Sequence, residues 1–327
     1  LTTQLLDIHD KTAHHYLKNL ATDEGKIVLK HLIERGLTKD TIKKFKIGYS
    51  IDSFDTLKQK LQQENYSSEA LTQCGLILSN DRGYIDRFRG RIMFSIANPN
   101  GKIIAFAGRI FKKNDPAKYV NSPETPIYNK SKILYGLWAS KEAIRKTESV
   151  IIVEGYLDFL QLYQNGIENV VAVSGTAFTN EHAKLIGRHC SKVYLAYDGD
   201  TAGIGAAVRT GYILLKHGLD ASVINIPKGM DPDDWVKNEG KEPFMLAVEN
   251  SEEFLNFHIE NTKHNLNSPS GMSSFIQQVV SELAQISNPI LRELQIKSLA
   301  AKTKVSEENI FYTLNNLLQQ IQRRQSF

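Results

Sequence analysis

Six carboxylates in the middle of the chain follow three apolar runs, and their spacing suits metal-assisted chemistry on phosphate. Glu154 and Asp158 come after the run 149–153, Asp198 and Asp200 after 193–197, and Asp231 and Asp233 after 221–226, with Asp234 closing the last cluster. Taken singly, each cluster has a structural reading: Asp198-Gly199 as a turn, Asp200 and Asp231 as helix caps, Glu154 as an ion-pair partner at a strand end. Taken together they gather negative charge in one place, and that charge repels itself unless a cation is present. A hard cation with oxygen ligands answers the need, Mg²⁺ first and Mn²⁺ as its substitute. Two such ions roughly 4 Å apart clamp the attacking and leaving oxygens of a phosphoryl or nucleotidyl displacement, and that geometry takes several carboxylates.

Whether the acids meet depends on the elements that carry them. Short runs of β-branched and apolar residues, each followed by a turn and a helical pattern, read as buried parallel strands. The spacing predicts strands at 150–153, 169–173, 193–197 and 221–226, with helices at about 156–165, 180–189 and 202–217 between them. The economical fold for that alternation is a parallel sheet with right-handed crossovers. Such sheets bind ligands beyond the carboxyl ends of their strands, which is where all three acidic clusters fall. Ser174-Gly175-Thr176 follows the second strand and brings backbone amides that suit a phosphate to the same crevice.

Upstream, helical periodicity runs through 1–33, Gly36 is a stop, and Thr38 caps a helix over 39–45. The runs 91–97 and 102–109, joined by Asn98-Pro99-Asn100-Gly101, predict a β-hairpin, and 118–126 reads as a loop. Beyond Pro243 only helices are expected, near 251–263, 272–287, 289–302 and 306–323. The stretch 299–310 has the spacing of a helix-turn-helix, but ordinary helix packing is the preferred reading. The expected lobes are 1–130, 131–250 and 251–327.

Net charge is unevenly spread: +7 over 1–130, −5 over 131–257 and +2 over 258–327. The segment 82–118 holds nine Lys and Arg (Arg82, Arg87, Arg89, Arg91, Lys102, Arg109, Lys112, Lys113, Lys118) against Asp86 and Asp115, with Tyr84 and Phe88 between them and Tyr119 just beyond. Cations for phosphates and flat rings for bases suit a single strand of nucleic acid. A basic lobe beside an acidic one then suits a polyanion gripped by the first and worked on by the second. Arg35, just before Gly36, reads on its own as a surface charge.

Other classes are excluded or unsupported. With 41% hydrophobic and 23% charged residues the composition is that of a soluble globular protein. No run approaches the roughly 20 apolar residues of a membrane span and no signal peptide opens the chain, so a cytoplasmic protein without membrane contact is expected. Cys74 and Cys190 lack the paired spacing of a zinc site and read as inert thiols in a reducing compartment. No Gly-x-x-x-x-Gly-Lys-Ser/Thr run supports a P-loop ATPase.

Glu154-Gly-Tyr-Leu-Asp158 followed by Asp198-Gly-Asp200 resembles the Toprim signature, shared by bacterial primases, topoisomerases, recombination mediators and a nuclease family. Within that group Arg87-Phe-Arg-Gly-Arg-Ile-Met-Phe94, Ala105-Phe-Ala-Gly-Arg109, Lys118-Tyr-Val-Asn-Ser-Pro-Glu-Thr125 and Leu134-Tyr-Gly-Leu137 resemble successive motifs of the DnaG-type primase catalytic core. Ser95 and Ala107 depart from the usual pattern, and neither touches an expected ligand. The resemblance implies an α/β fold with a central Toprim-type parallel sheet flanked by helices, an N-terminal mixed α/β basic lobe and a C-terminal helical bundle. It implies synthesis of short RNA primers on single-stranded DNA from ribonucleoside triphosphates during replication.

For the site, the resemblance implies catalytic Glu154, Asp198 and Asp200, a metal set drawn from these with Asp158, Asp231 and Asp233, and Glu154 as ligand or base. Arg109, Lys118, Tyr119 and Asn121 are expected to hold nucleotide, and Arg35, Arg87, Arg89 and Arg91 the template. Mg²⁺ with no zinc is expected, in a monomer that meets a replicative helicase only through a domain absent here. The start at Leu1 suggests an excised RNA-polymerase domain. A strand-cutting Toprim enzyme and a non-catalytic nucleic-acid-binding Toprim protein are the alternatives.

Overall fold

The computed structural model describes residues 2–81, 83–111, 117–173 and 175–325. Helices α1 (Thr2–Asn19), α2 (Asp23–Glu34) and α3 (Lys39–Lys44) precede strand β1 (Gly48–Ser50); α4 (Thr56–Gln63) and α5 (Ser68–Gln73) precede the hairpin β2 (Ile77–Asn80) and β3 (Gly83–Asp86). Strands β4 (Arg91–Ala97), β5 (Ile103–Ile110) and β6 (Tyr119–Asn121) follow, then α6 (Leu137–Thr147), β7 (Ser149–Val153), α7 (Tyr156–Gln164) and β8 (Val170–Ala172). After these come α8 (Asn180–Ile186), β9 (Lys192–Ala196), α9 (Thr201–Lys216), β10 (Asp220–Val223), α10 (Pro232–Glu239), α11 (Lys241–Glu249) and β11 (Glu252–Glu253). Four helices end the chain: α12 (Phe254–Glu260), α13 (Pro269–Leu283), α14 (Pro289–Thr303) and α15 (Glu307–Gln325).

The strand order of the central sheet, β11-β10-β9-β7-β8, sets the position of the site. Pairings among β8, β7, β9 and β10 are all parallel, and β11 adds an antiparallel edge. The chain steps from β7 to β8 on one side and then crosses back to β9 on the other. The carboxyl ends of β7 and β9 therefore flank a switch point, where crossovers leave a crevice open to a ligand. Glu154 follows β7 and Asp198 follows β9 at that opening. Because β7 is buried along its whole length, its apolar run has to be continuous rather than alternating.

Both faces of the sheet are covered. On one face Val150, Val171, Val193 and Leu195 share a core with Phe275, Val279, Leu283, Ile296, Leu299 and Ile310 of the last helices. On the other, Ile151, Val153 and Val170 share a core with Leu32, Phe45, Phe94 and Ile104 of the first lobe. The helix-turn-helix spacing at 299–310 therefore serves packing: Leu299 and Ile310 are fully buried, and the turn between them is made by left-handed Lys304.

Two local readings differ. The helical run 1–33 breaks after Asn19, because Gly25 packs against the Asn19 carbonyl so closely that a Cβ there would lie 1.8 Å from the oxygen, and Thr22 caps α2 through the Gly25 amide. The expected loop at 118–126 opens with a strand: β6 pairs antiparallel with β5, matching Arg109 to Tyr119 and Ala107 to Asn121. Cross-strand partners share a face, so this register puts Tyr119 and Asn121 on the face that carries Arg109. Among the described residues, no helix is long and apolar enough to cross a membrane.

Candidate active site

A cavity of about 720 Å³ opens at the switch point. Its acidic wall carries Glu154, Asp158, Asp198, Asp231 and Asp233, and its basic wall Arg35, Arg109 and Lys118 with Tyr119 and Asn121. Gly175 and Thr176 form the third side; Ser174 lies outside the described residues, as do Arg82, Lys112, Lys113 and Asp115 of the basic segment.

Local hydrogen bonds fix the acids. Asp158 sits in the first turn of α7, accepts the Gly155 amide at 2.9 Å and accepts the Asp233 amide at 3.3 Å. It thereby ties the turn after β7 to the turn before α10. Glu154 accepts the Asp198 amide at 3.4 Å. Asp200 and Asp231 are also helix caps, accepting the Gly203 amide at 2.8 Å and the Asp234 amide at 2.7 Å. Each cap uses one carboxylate oxygen and leaves the second for other work. Asp200 caps α9, and its charge still reaches the cavity, where it raises both Glu154 and Asp198.

The electrostatics are those of a site short of positive charge. Burial, then Asp231 and Asp198, push Asp158 up to about 7. Glu154 is raised by burial and then by Asp198. Asp198 is raised by burial, then by Asp231 and Asp200, against the opposing charge of Lys118. Asp233 is raised by burial although Arg35 opposes it. Like charges that cannot all ionise comfortably are relieved by a bound cation. Asp231, Asp233 and Asp234 each offer a carboxylate oxygen within 4.8 Å of one another, a hard-donor set that fits a divalent ion. Asp234 was not among the expected ligands; its place in the first turn of α10 brings it in. Burial holds the Cys74 thiol up at about 12 and Cys190 at about 11, so both stay protonated and make poor ligands.

The basic residues divide differently from expectation. Arg91 is not a template contact: it is 2% exposed, and its guanidinium donates to the Gly108 and Ala117 carbonyls at 3.1 and 3.0 Å. Its strand position turns it inward, where it ties β4 to β5 and to the segment before β6. Arg35 is neither a surface charge nor part of the ribbon, since it donates to Asp233 at 2.6 Å inside the cavity. Arg87 and Arg89 remain outside the cavity. Arg89 lies over the ring of Phe54 at 4.4 Å, and that ring is 66% exposed. Phe54 was missed because a lone aromatic in a loop has no periodicity to mark it. Tyr156 was missed as well; it stacks on Phe94 and its hydroxyl donates to Asn121 at 3.4 Å.

Fold, switch-point crevice and paired acidic and basic walls define a Toprim-type catalytic core. Family models agree: "DNA primase catalytic core, N-terminal domain" matches 15–141, "Toprim-like" matches 151–236, and "DnaB-helicase binding domain of primase" matches 259–308. The chain is 37% identical over 319 residues to a DNA primase of Clostridium acetobutylicum, covering 97% of this chain and 52% of that one. It is 35% identical to one of Listeria monocytogenes, with 98% and 52% covered. A DNA primase domain from Pseudomonas aeruginosa superposes with a TM-score of 0.86 at 31% identity, covering 95% of this chain and 99% of that one. A DnaG primase catalytic domain bound to single-stranded DNA superposes with a TM-score of 0.83 at 30% identity, with 94% and 98% covered. The chain belongs to the DnaG-type primase family, and it spans about half the length of the curated relatives it matches.

The third match corrects an expectation. A helicase-binding domain was expected to be absent, yet 259–308, which runs from α12 into α15, matches one. Its buried residues are spaced like those of any packed helix, so the sequence read there as packing alone.

Proposed function

We propose that this chain makes short RNA primers on single-stranded DNA during replication by nucleotidyl transfer from ribonucleoside triphosphates. The observation that carries this reading is the single cavity with Arg109 and Lys118 on one wall and Glu154, Asp198, Asp231 and Asp233 on the other. A polyphosphate needs the first wall and a metal-assisted displacement needs the second. In the reaction the primer 3′-hydroxyl attacks the α-phosphate and loses its proton to solvent, the bond to the bridging oxygen of the β-phosphate breaks, and pyrophosphate leaves. Mg²⁺, or Mn²⁺ in its place, would be held by residues of the set Asp231, Asp233, Asp234, Glu154 and Asp198, and would lower the charge barrier to that displacement.

The protein residues supply the rest. Arg109 and Lys118 grip the triphosphate. Tyr119 and Asn121, the latter oriented by Tyr156, line the nucleotide side. Asp158 keeps the two acidic turns in register. Arg87 and Arg89, with Phe54 as a flat face, track the template outside the cavity. The lobes 1–130, 131–250 and 251–327 then grip, react and pack, and the helices over 259–308 offer the replicative helicase a contact. The test combines labelled single-stranded template, ribonucleotides and Mg²⁺, scored for extension, cleavage or binding alone. Metal-dependent extension is expected, with Lys118→Ala raising the nucleotide KM more than it weakens template binding. Cleavage or binding without extension would sink the proposal.

A further inference from the structure

Arg35 and Asp233 lie 198 residues apart in sequence and make an ion pair in the cavity wall, 2.6 Å from Nη2 to Oδ2. The Asp233 side chain is only 4% exposed against 34% for that of Arg35. Arg35 Nε is enclosed and has no hydrogen-bond partner, so the guanidinium is held at one end only. Asp233 meanwhile belongs to the oxygen triplet with Asp231 and Asp234. A guanidinium and a divalent ion on one carboxylate repel each other, so each weakens the other's hold. The backbone around Arg35 is anchored independently: the Gly36 carbonyl accepts Gln164 at 2.7 Å, the Thr38 amide donates to Gln164 at 3.1 Å, and Lys237 donates to the Glu34 carbonyl at 3.3 Å. Release of Asp233 therefore needs only side-chain rotation, and Arg109 and Lys118 line the same cavity.

We propose that Arg35 is a positioning residue that occupies Asp233 until a metal ion takes that carboxylate, whereupon its guanidinium passes to the triphosphate. Metal and polyphosphate loading are thereby coupled through one side chain. This rests on the reading of Asp231, Asp233 and Asp234 as metal ligands, and the experiment separates the two. Mn²⁺ binding is measured without nucleotide, by the loss of the free-ion paramagnetic resonance signal, for the wild type, Asp231→Asn, Arg35→Met and Arg35→Lys. If the wild type and Asp231→Asn bind Mn²⁺ alike, the ligand reading fails and the proposal falls with it. If Asp231→Asn weakens binding, the ligand reading stands, and Arg35→Met is expected to bind Mn²⁺ about 5-fold or more tightly than wild type while Arg35→Lys stays close to it. Unchanged or weaker binding by a folded Arg35→Met overturns the proposal alone.

Reciprocity gives a second arm that does not depend on Arg35→Met folding: Asp233→Asn, which frees Arg35, is expected to bind inorganic triphosphate without metal about 5-fold or more tightly. Equal binding by Asp233→Asn and wild type also overturns it. Asp231→Asn removes the same charge without freeing Arg35 and is expected to gain less triphosphate affinity than Asp233→Asn; an equal gain in the two would be the effect of lost charge alone and overturns the proposal.

Discussion

Asp198 and Asp200 stand two residues apart yet face different tasks. Asp198 lines the cavity and is crowded by Asp231, whereas Asp200 spends one oxygen on the Gly203 amide. Asp200→Ala removes both the cap and the charge, and is expected to cost about 1 kcal/mol of stability along with activity. Asp200→Asn keeps an oxygen for the cap and loses only the charge. It should melt like wild type while primer extension falls about 10- to 100-fold, because its charge acts on Glu154 and Asp198. Extension close to wild type from Asp200→Asn would reduce Asp200 to a cap. On the template side, Phe54→Ala removes the exposed ring beneath Arg89. Single-stranded DNA affinity should drop by about 1 kcal/mol, several-fold in Kd, with the nucleotide KM unchanged. A shift in KM without a shift in Kd would place Phe54 on the wrong path.

The elements that present these residues are set by close approaches. A Cβ at Gly203 would lie 2.1 Å from the Asp198 carbonyl oxygen, so only glycine lets α9 start directly under the Asp198–Asp200 turn. Gly203→Ala must push that turn or unwind the helix start, and a loss of about 1–3 kcal/mol is expected in denaturant unfolding together with impaired extension. Wild-type values for both would mean that the turn yields at no cost. Much at this scale was legible in the sequence: the apolar runs before Glu154 and Asp198 became β7 and β9, and Thr38 and Asp231 cap the helices their positions suggested. What was not legible depends on partners distant in sequence. β6 exists because β5 offers it an edge, and a three-residue strand in a Pro-rich stretch has no signal of its own. The inward turn of Arg91 follows from the face of β4 that meets Gly108 and Ala117, which a count of basic residues cannot reveal.

At the scale of the whole molecule, one sheet carries two cores, and the site lies where its order reverses. The alternation of strands and helices foretold the crevice; the Arg35–Asp233 pair across it joins two lobes and was beyond any local pattern. That architecture buries histidines as neutral rings, which gives the fold an acid limit separate from the carboxylates. His9 is fully buried, stacks on Phe106 with ring centroids 5.7 Å apart, and is pushed by burial from 6.5 down to about 4. His15 and His258 are also pushed to about 4, chiefly by burial. A group with a depressed folded pKa takes up its proton on unfolding, so its contribution to stability is whole above 6.5 and drains away as pH falls from 6.5 towards 4. His9, the fully enclosed ring, steepens the fall by about 1.4 kcal/mol per pH unit within that window and accounts for about 3 kcal/mol across it, while partly exposed His15 adds less. His9→Phe retains a ring against Phe106 and cannot titrate. Urea unfolding between pH 7.5 and 4.5 should show the wild type losing stability with falling pH more steeply than the variant, by about one proton. Parallel slopes for the two would mean that His9 is protonated in the folded protein, contrary to its burial.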